Sequence, residues 1–142
     1  MTRRHCTAIE PIQGEGGVSE VPTHCLESIR KICDEKNLYL IEDTCEALGS
    51  TFKNKPLGTF GEFSSFSFYY SHHITSGEGG MVCTKNSKYF EIIKSLRSHG
   101  WTRDLKDNFY LKKNQSKYEN YCFTLPGYNV RSTNLNAAIG LQ

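Results

Sequence analysis

Residues 38–41, Leu-Tyr-Leu-Ile, form an uninterrupted apolar run that ends in Glu42-Asp43. So short a run, closed by two charges, reads as a buried strand of the kind found inside parallel sheets. Upstream, from about Thr23, the spacing changes. Leu26, Ile29 and Cys33 share one helical face, with Glu27, Arg30 and Glu35 elsewhere. Residues 8–12 add a short apolar strand before that helix. Strand, helix and strand in this order predict a right-handed parallel crossover, hence an α/β sheet. Such sheets place ligand-binding groups just beyond the carboxyl ends of their strands. Asp43 lies at one of those ends and is the first candidate functional residue.

The remaining elements follow from composition. Residues 13–18 are glycine-rich and read as a loop. Residues 51–61 hold Lys-Asn-Lys-Pro and two glycines, the marks of a turn-rich excursion. The aromatic stretch 62–69 and residues 80–84 read as strands. Residues 87–98 predict an amphipathic helix through Phe90, Ile93, Leu96 and Arg97, stopped by Gly100. Residues 101–120 are polar and long for a connection, a pattern usual in functional loops. A further helix begins at Asn134. Gly14-Glu-Gly-Gly17 and Gly77-Glu-Gly-Gly80 echo each other, but their surroundings differ, so they do not mark a repeat.

The 142 residues suit one domain, and a formal charge of +2 from 17 basic and 15 acidic side chains gives no general case for nucleic-acid or membrane partners. No apolar run approaches the ~18 residues of a membrane span, and no signal-peptide core follows the basic start. The expectation is a cytoplasmic protein. The six cysteines contain no Cys-x-x-Cys pair and are expected to be buried thiols rather than a disulfide frame. His5-Cys6 and His24-Cys25 are adjacent pairs, which rarely turn onto one ion, and no metal is expected.

Residues 66–80 read Phe-Ser-Phe-Tyr-Tyr-Ser-His-His-Ile-Thr-Ser-Gly-Glu-Gly-Gly. An imidazole such as that of His72 can take and return a proton near neutrality. The hydroxyl of Ser67 can donate to an anion without adding charge. Gly77 to Gly80 let a backbone pass close to a ligand and enter the next strand. Arg103 and Arg131 suit phosphate oxygens. Each also has a plain structural reading: His72 a structural histidine, Ser67 a strand serine facing solvent, the arginines exposed loop charges. Asp43, with Thr44 next and Glu46 three on, also fits a helix cap or a turn.

Together these segments resemble the DegT/StrS-type sugar aminotransferases, which use pyridoxal phosphate. Members carry Phe-Ser-Phe, three residues, the lysine of the cofactor Schiff base, and then Gly-Glu-Gly-Gly. Here His72 stands in the lysine position. That change resembles a small branch of 3-dehydratases of nucleotide-linked 4-keto-6-deoxy sugars, whose cofactor is held without a covalent bond. The resemblance implies that Asp43 binds the pyridine nitrogen, that Glu46 (glutamine in most members) lies beside the ring and that Ser67 donates to the phosphate. It also implies His72 as the catalytic base and no role for His73. Pro126-Gly-Tyr-Asn-Val-Arg131 and Asn134-Leu-Asn-Ala-Ala-Ile-Gly140 match as well, which implies that Asn129 reaches the phosphate in a neighbouring subunit of a homodimer. Ser98-His-Gly-Trp-Thr-Arg-Asp104 resembles the same branch, with Arg103 and Arg131 near nucleotide phosphates. Iron–sulfur relatives acting on CDP-linked sugars need a cysteine cluster after the helix, and residues 101–123 offer only Cys122. The similarity is therefore to cluster-free enzymes acting on GDP-4-keto-6-deoxymannose.

The resemblance covers residues 38–142. Residues 7–36, with Ala-Ile-Glu-Pro-Ile-Gln-Gly-Glu-Gly-Gly-Val over 8–18, instead resemble ornithine-type (class III) aminotransferases of the same fold. The implied architecture is α/β: an incomplete large domain of the aspartate-aminotransferase fold (fold type I), mainly parallel sheet with flanking helices. It divides into a class III-like segment, 1–37, and a sugar-aminotransferase-like segment, 38–142. The implied function is 3-dehydration of a nucleotide 4-keto-6-deoxyhexose with pyridoxal or pyridoxamine 5'-phosphate, reloaded by an amino donor such as glutamate. Two alternatives stand beside it: a sugar aminotransferase, and a non-catalytic fragment of such an enzyme.

Overall fold

A computed structural model describes residues 5–106, 109 and 121–142. The chain clusters into two compact units, Met1–Lys85 with Asn134–Gln142, and Asn86–Thr133. In chain order the elements are β1 (Cys6–Ile9), β2 (Ile12–Gln13), β3 (Ser19–Glu20), α1 (Thr23–Lys36), β4 (Tyr39–Asp43), β5 (Thr51–Phe52), β6 (Lys55–Pro56), β7 (Phe63–Ser67) and β8 (Gly80–Cys83). Then come α2 (Ser87–Leu96) in the second unit and α3 (Asn134–Gly140), back in the first.

The sheet of the first unit runs β1-β4-β7-β8. β1 pairs with β4 and β4 with β7 in parallel, while β8 closes antiparallel on β7. The strand–helix–strand reading of the sequence is thus met by β1, α1 and β4. The first strand is earlier than expected: β1 ends at Ile9, and Ile12 instead pairs with Glu20 in the small β2–β3 hairpin. The excursion at 51–61 contains a second hairpin, β5–β6. The helix α1 ends where Asn37 turns left-handed, with φ of 53°, a conformation asparagine tolerates. Of the expected apolar face, Cys33 is fully buried, and Leu26 and Ile29 are half-buried.

Along β4 the side chains alternate. Leu40 and Glu42 are buried on one face, and Asp43 lies on the other. Glu42, only 2% exposed, is the one charge on that buried face, and it is fully engaged. Its Oε2 accepts from the Gly58 amide at 2.7 Å, and its Oε1 from Phe60 and Gly61 at 2.7 and 2.5 Å. A carboxylate is acceptor-only, so three converging backbone N–H groups suit it. Glu62 answers by accepting from the Leu40 amide at 2.6 Å. Gly61 is required by this closeness, because a Cβ there would lie 2.5 Å from the Leu40 carbonyl oxygen. Replacing Glu42 with alanine strands three amides, and the loss is expected to be about 3 kcal/mol or more. Urea denaturation of both proteins measures it, and a loss under about 1 kcal/mol would contradict the clamp.

Two expectations are corrected. The helix α2 does not bury Phe90, which is 54% exposed; its buried residues are Glu91 and Ser95. The reason is polar: Glu91 Oε2 accepts from the Lys106 amide at 3.1 Å, and α2 is capped by the Asn86 side chain. The cysteines carry no disulfide, but only Cys33 is buried, and Cys6 is exposed. Of the polar stretch 101–120, residues 107, 108 and 110–120 lie outside the described residues. Among the described residues no helix is long and apolar enough to cross a membrane.

Candidate functional site

Parallel pairing of β4 with β7 sets Asp43 opposite Ser65. The Ser65 hydroxyl donates to Asp43 Oδ1 at 3.1 Å, and the Cys45 amide donates to the same oxygen at 3.2 Å. No helix starts here; residues 44–49 form turns. Asp43 is therefore no helix cap, although its bond to Cys45 makes it a turn aspartate. Both of these bonds, from Ser65 and from the Cys45 amide, fall on Oδ1. Burial pushes the carboxyl up, but bonds from the Cys45 thiol and amide and from Ser65, with the charge of His72, outweigh it and leave Asp43 below the usual carboxylate range. The Cys45 thiol moves the other way, up to about 11, first through burial and then through the adjoining Asp43.

His72 lies in the loop between β7 and β8. Its Nδ1 is 3.1 Å from the Cys45 carbonyl oxygen and 3.5 Å from Glu46 Oε1. A carbonyl only accepts, so Nδ1 must carry the hydrogen. In the neutral ring Nε2 is then the unprotonated nitrogen, free to act as a base. One peptide residue, Cys45, thus joins both candidates: its N–H holds Asp43 and its C=O holds His72. Asp43, Glu46 and His72, 29 residues apart at their extremes, are brought together. Ser67 ends β7 on the face of Ser65, two residues on, and its oxygen accepts from the Tyr69 amide at 3.2 Å, which leaves its own hydrogen to donate. His73 is exposed.

The second unit gathers a different group. Arg103 lies over the Trp101 ring at 4.0 Å and Arg131 at 5.6 Å. His99 and Phe123 flank the same indole, with centroids at 5.8 and 5.4 Å. The Trp101 Nε1 is buried without a hydrogen-bond partner among the described residues. Asn129 is exposed and bridges Ser98 in a short antiparallel pairing. Arg103 and Arg131 therefore share one aromatic platform, a convergence their separation in sequence did not signal.

Sequence reasoning missed two members of the site. Ser65 looks like Ser64 and Ser67 in the sequence, and only the strand register, which sets it opposite Asp43, singles it out. Cys45 was grouped with the other cysteines, although its place between Asp43 and Glu46 was visible.

The model of the DegT/DnrJ/EryC1/StrS aminotransferase family matches residues 11–142. The chain belongs to this family. The match takes in most of residues 7–36, the stretch whose motifs resemble class III aminotransferases. The chain is 43% identical over 119 residues to the GDP-4-keto-6-deoxy-D-mannose 3-dehydratase of Escherichia coli O55:H7, a match covering 82% of this chain and 31% of that protein. A solved structure of the E. coli enzyme with bound hydrated pyridoxal phosphate (PLP) superposes with a TM-score of 0.79 at 35% identity, over 99% of this chain and 35% of that one. A structure of a GDP-4-keto-6-deoxymannose-3-dehydratase with a trapped PLP-glutamate geminal diamine gives 0.79 at 35% identity over 99% of this chain and 36% of that one. The chain thus spans about a third of the length of the relatives it matches. Its fold is that of these family members, part of the fold type I large domain, with a mainly parallel sheet and flanking helices.

Proposed function

We propose that the chain forms part of a 3-dehydratase acting on a nucleotide-linked 4-keto-6-deoxyhexose with non-covalently held pyridoxamine or pyridoxal phosphate. The observation that carries this reading is His72: it stands where a Schiff-base lysine is required for transamination, and its Nδ1 is committed to the Cys45 carbonyl. The residues present fit the cofactor. Asp43 favours the ionised carboxylate, which suits a protonated pyridine nitrogen. Ser67 keeps a hydroxyl hydrogen for a phosphate oxygen. When bound, the cofactor supplies the amine that condenses with the C4 ketone and the ring that accepts electrons as the C3 hydroxyl leaves.

Each residue has a defined task. His72 takes up and returns a proton at Nε2, with Nδ1–H held by Cys45 so that the ring keeps one tautomer. Glu46 Oε1, 3.5 Å from Nδ1, lies beside the same nitrogen that the Cys45 carbonyl holds and helps to orient the ring. Asp43, steadied by Ser65 and Cys45, holds negative charge against the ring. Arg103 and Arg131, both at Trp101, receive the diphosphate of the nucleotide sugar, since guanidinium groups pair well with phosphate oxygens. Glutamate serves as the amino donor, in keeping with the relative in which a PLP-glutamate adduct is trapped. A second copy of the chain completes the site, and Asn129, exposed on the surface, reaches its phosphate.

Borohydride reduction in the presence of pyridoxal phosphate tests the reading. Mass spectrometry of the full-length protein carrying this chain is expected to find no stoichiometric pyridoxyl group on any lysine. With pyridoxamine phosphate and GDP-4-keto-6-deoxymannose, the protein should release a 3,6-dideoxy-4-keto sugar. A full covalent adduct on a lysine, or an aminated sugar as the main product, would replace dehydration with transamination.

A further inference from the structure

The loop that carries His72 is closed at its neck. The Phe68 amide donates to the Gly79 carbonyl at 2.9 Å, and the Ser76 amide returns a bond to the Phe68 carbonyl at 3.0 Å. Near the far side of that neck the chain reverses twice, with φ of 82° at Gly77 and 151° at Gly79, angles that glycine alone adopts without strain. The carbonyls of Ser76 and Glu78 precede these glycines and stand outside β8, which begins at Gly80. Carbonyls without a strand partner need another donor.

For Glu78 one donor is local, the Ser76 hydroxyl at 2.9 Å; the donor shared by both carbonyls comes from about 60 residues away in sequence. Asn136 Nδ2 donates to the Ser76 carbonyl at 3.1 Å and to the Glu78 carbonyl at 2.9 Å. An amide nitrogen has two hydrogens, and both are used. Asn136 is half-buried in α3, while its neighbours Asn134, Leu135, Ala137 and Ala138 are exposed. Asparagine is a poor helix former, so its place on the one inward position of this short helix is explained by the bond pair rather than by propensity. The helix also packs on the loop: a Cβ at Gly77 would lie 3.8 Å from Ile139 Cδ1, and one at Gly140 would lie 3.8 Å from Ser76 Cβ.

We infer that Asn136 is a positioning residue, which clamps the base of the His72 loop and so sets where the His72 imidazole presents Nε2. It touches no reacting atom. The His72 ring is tied at Nδ1 to the turn after β4, and its backbone N–H to the Tyr69 carbonyl at 3.1 Å. Asn136 holds the downstream end of the same loop, so the ring is fixed from two sides. The catalytic part of this inference rests on the dehydratase reading; the clamp itself does not.

The test uses Asn136→Asp and Asn136→Gln in the full-length protein carrying this chain. Asn136→Asp keeps size and shape but replaces two N–H donors with an oxygen facing two carbonyls. Amide hydrogen exchange over residues 68–80 is expected to quicken by tenfold or more in Asn136→Asp, with β1 and β4 unchanged. The kcat for elimination should fall by roughly 10²-fold, with the KM for the nucleotide sugar within about twofold. Asn136→Gln retains the amide and should recover most of both. Unchanged exchange over 68–80 in Asn136→Asp would overturn the clamp. Faster exchange throughout the sheet would make Asn136 a general fold contact and also overturn it. Faster exchange confined to 68–80 with parental kcat would overturn the positioning role. If the parent protein performs no elimination at all, the dehydratase reading fails, and exchange alone then decides the clamp.

Discussion

Replacement of His72 with asparagine is expected to remove 3-dehydration almost wholly while leaving the nucleotide sugar bound. General base catalysis contributes typically 10²–10⁴-fold, and a fall in kcat within that range is expected here. The asparagine amide can still donate to the Cys45 carbonyl, so the local turn persists. What is lost is the second ring nitrogen, Nε2, which the bond at Nδ1 leaves unprotonated. Substrate affinity should change by no more than about threefold, because the arginines proposed to bind the phosphates, Arg103 and Arg131, are left unchanged. Rapid-quench measurement of sugar product in the full-length protein, beside equilibrium binding of the nucleotide sugar, separates the two effects. An elimination rate within a few-fold of the parent would assign the proton transfer to another group.

The second large effect concerns Asp43. Asp43→Asn keeps an oxygen to accept from Ser65 and from the Cys45 amide, so the junction of β4 with β7 should stand. The charge at Oδ2 disappears. A neighbouring opposite charge shifts a titrating group by about 1–3 units, so loss of the carboxylate should weaken the protonation equilibrium of the bound pyridine ring by about 10- to 1,000-fold. Cofactor affinity is expected to fall, and elimination to fall further, since charge flows into the ring as the reaction proceeds. Cofactor titration by absorbance and single-turnover product release measure the two losses. Binding and turnover equal to the parent would reduce Asp43 to a turn residue.

The titration of Asp43 has a definite sign. Its folded value lies below the ordinary 3.8, so the ionised form contributes stability that is fully present above that pH. The contribution is lost as pH falls through the lower folded value. In the Asp43→Asn protein that acid-side loss should be absent from a denaturation series below pH 4.

Part of this protein was legible in its sequence because the signals are local. The helix before β4 shows in the spacing of Leu26, Ile29 and Cys33. The strand shows in residues 38–41, and the candidate base, His72, in the one position where a histidine stands in place of the lysine that the family resemblance leads one to expect. Periodicity and motif spacing report such features directly, since each is written within a few turns of chain. The polar contacts within the site were not legible. Ser65 meets Asp43 across 22 residues and Cys45 meets His72 across 27. Asn136 reaches Ser76 across 60. Glu42 reads as one more charge beside Asp43, yet strand alternation turns it into the interior, where three amides of the 58–61 loop close on it. Residue identity states what a side chain can donate or accept. Strand register and the folding of distant loops onto one another decide which partner it meets, and these depend on the packing of the whole unit rather than on any local stretch.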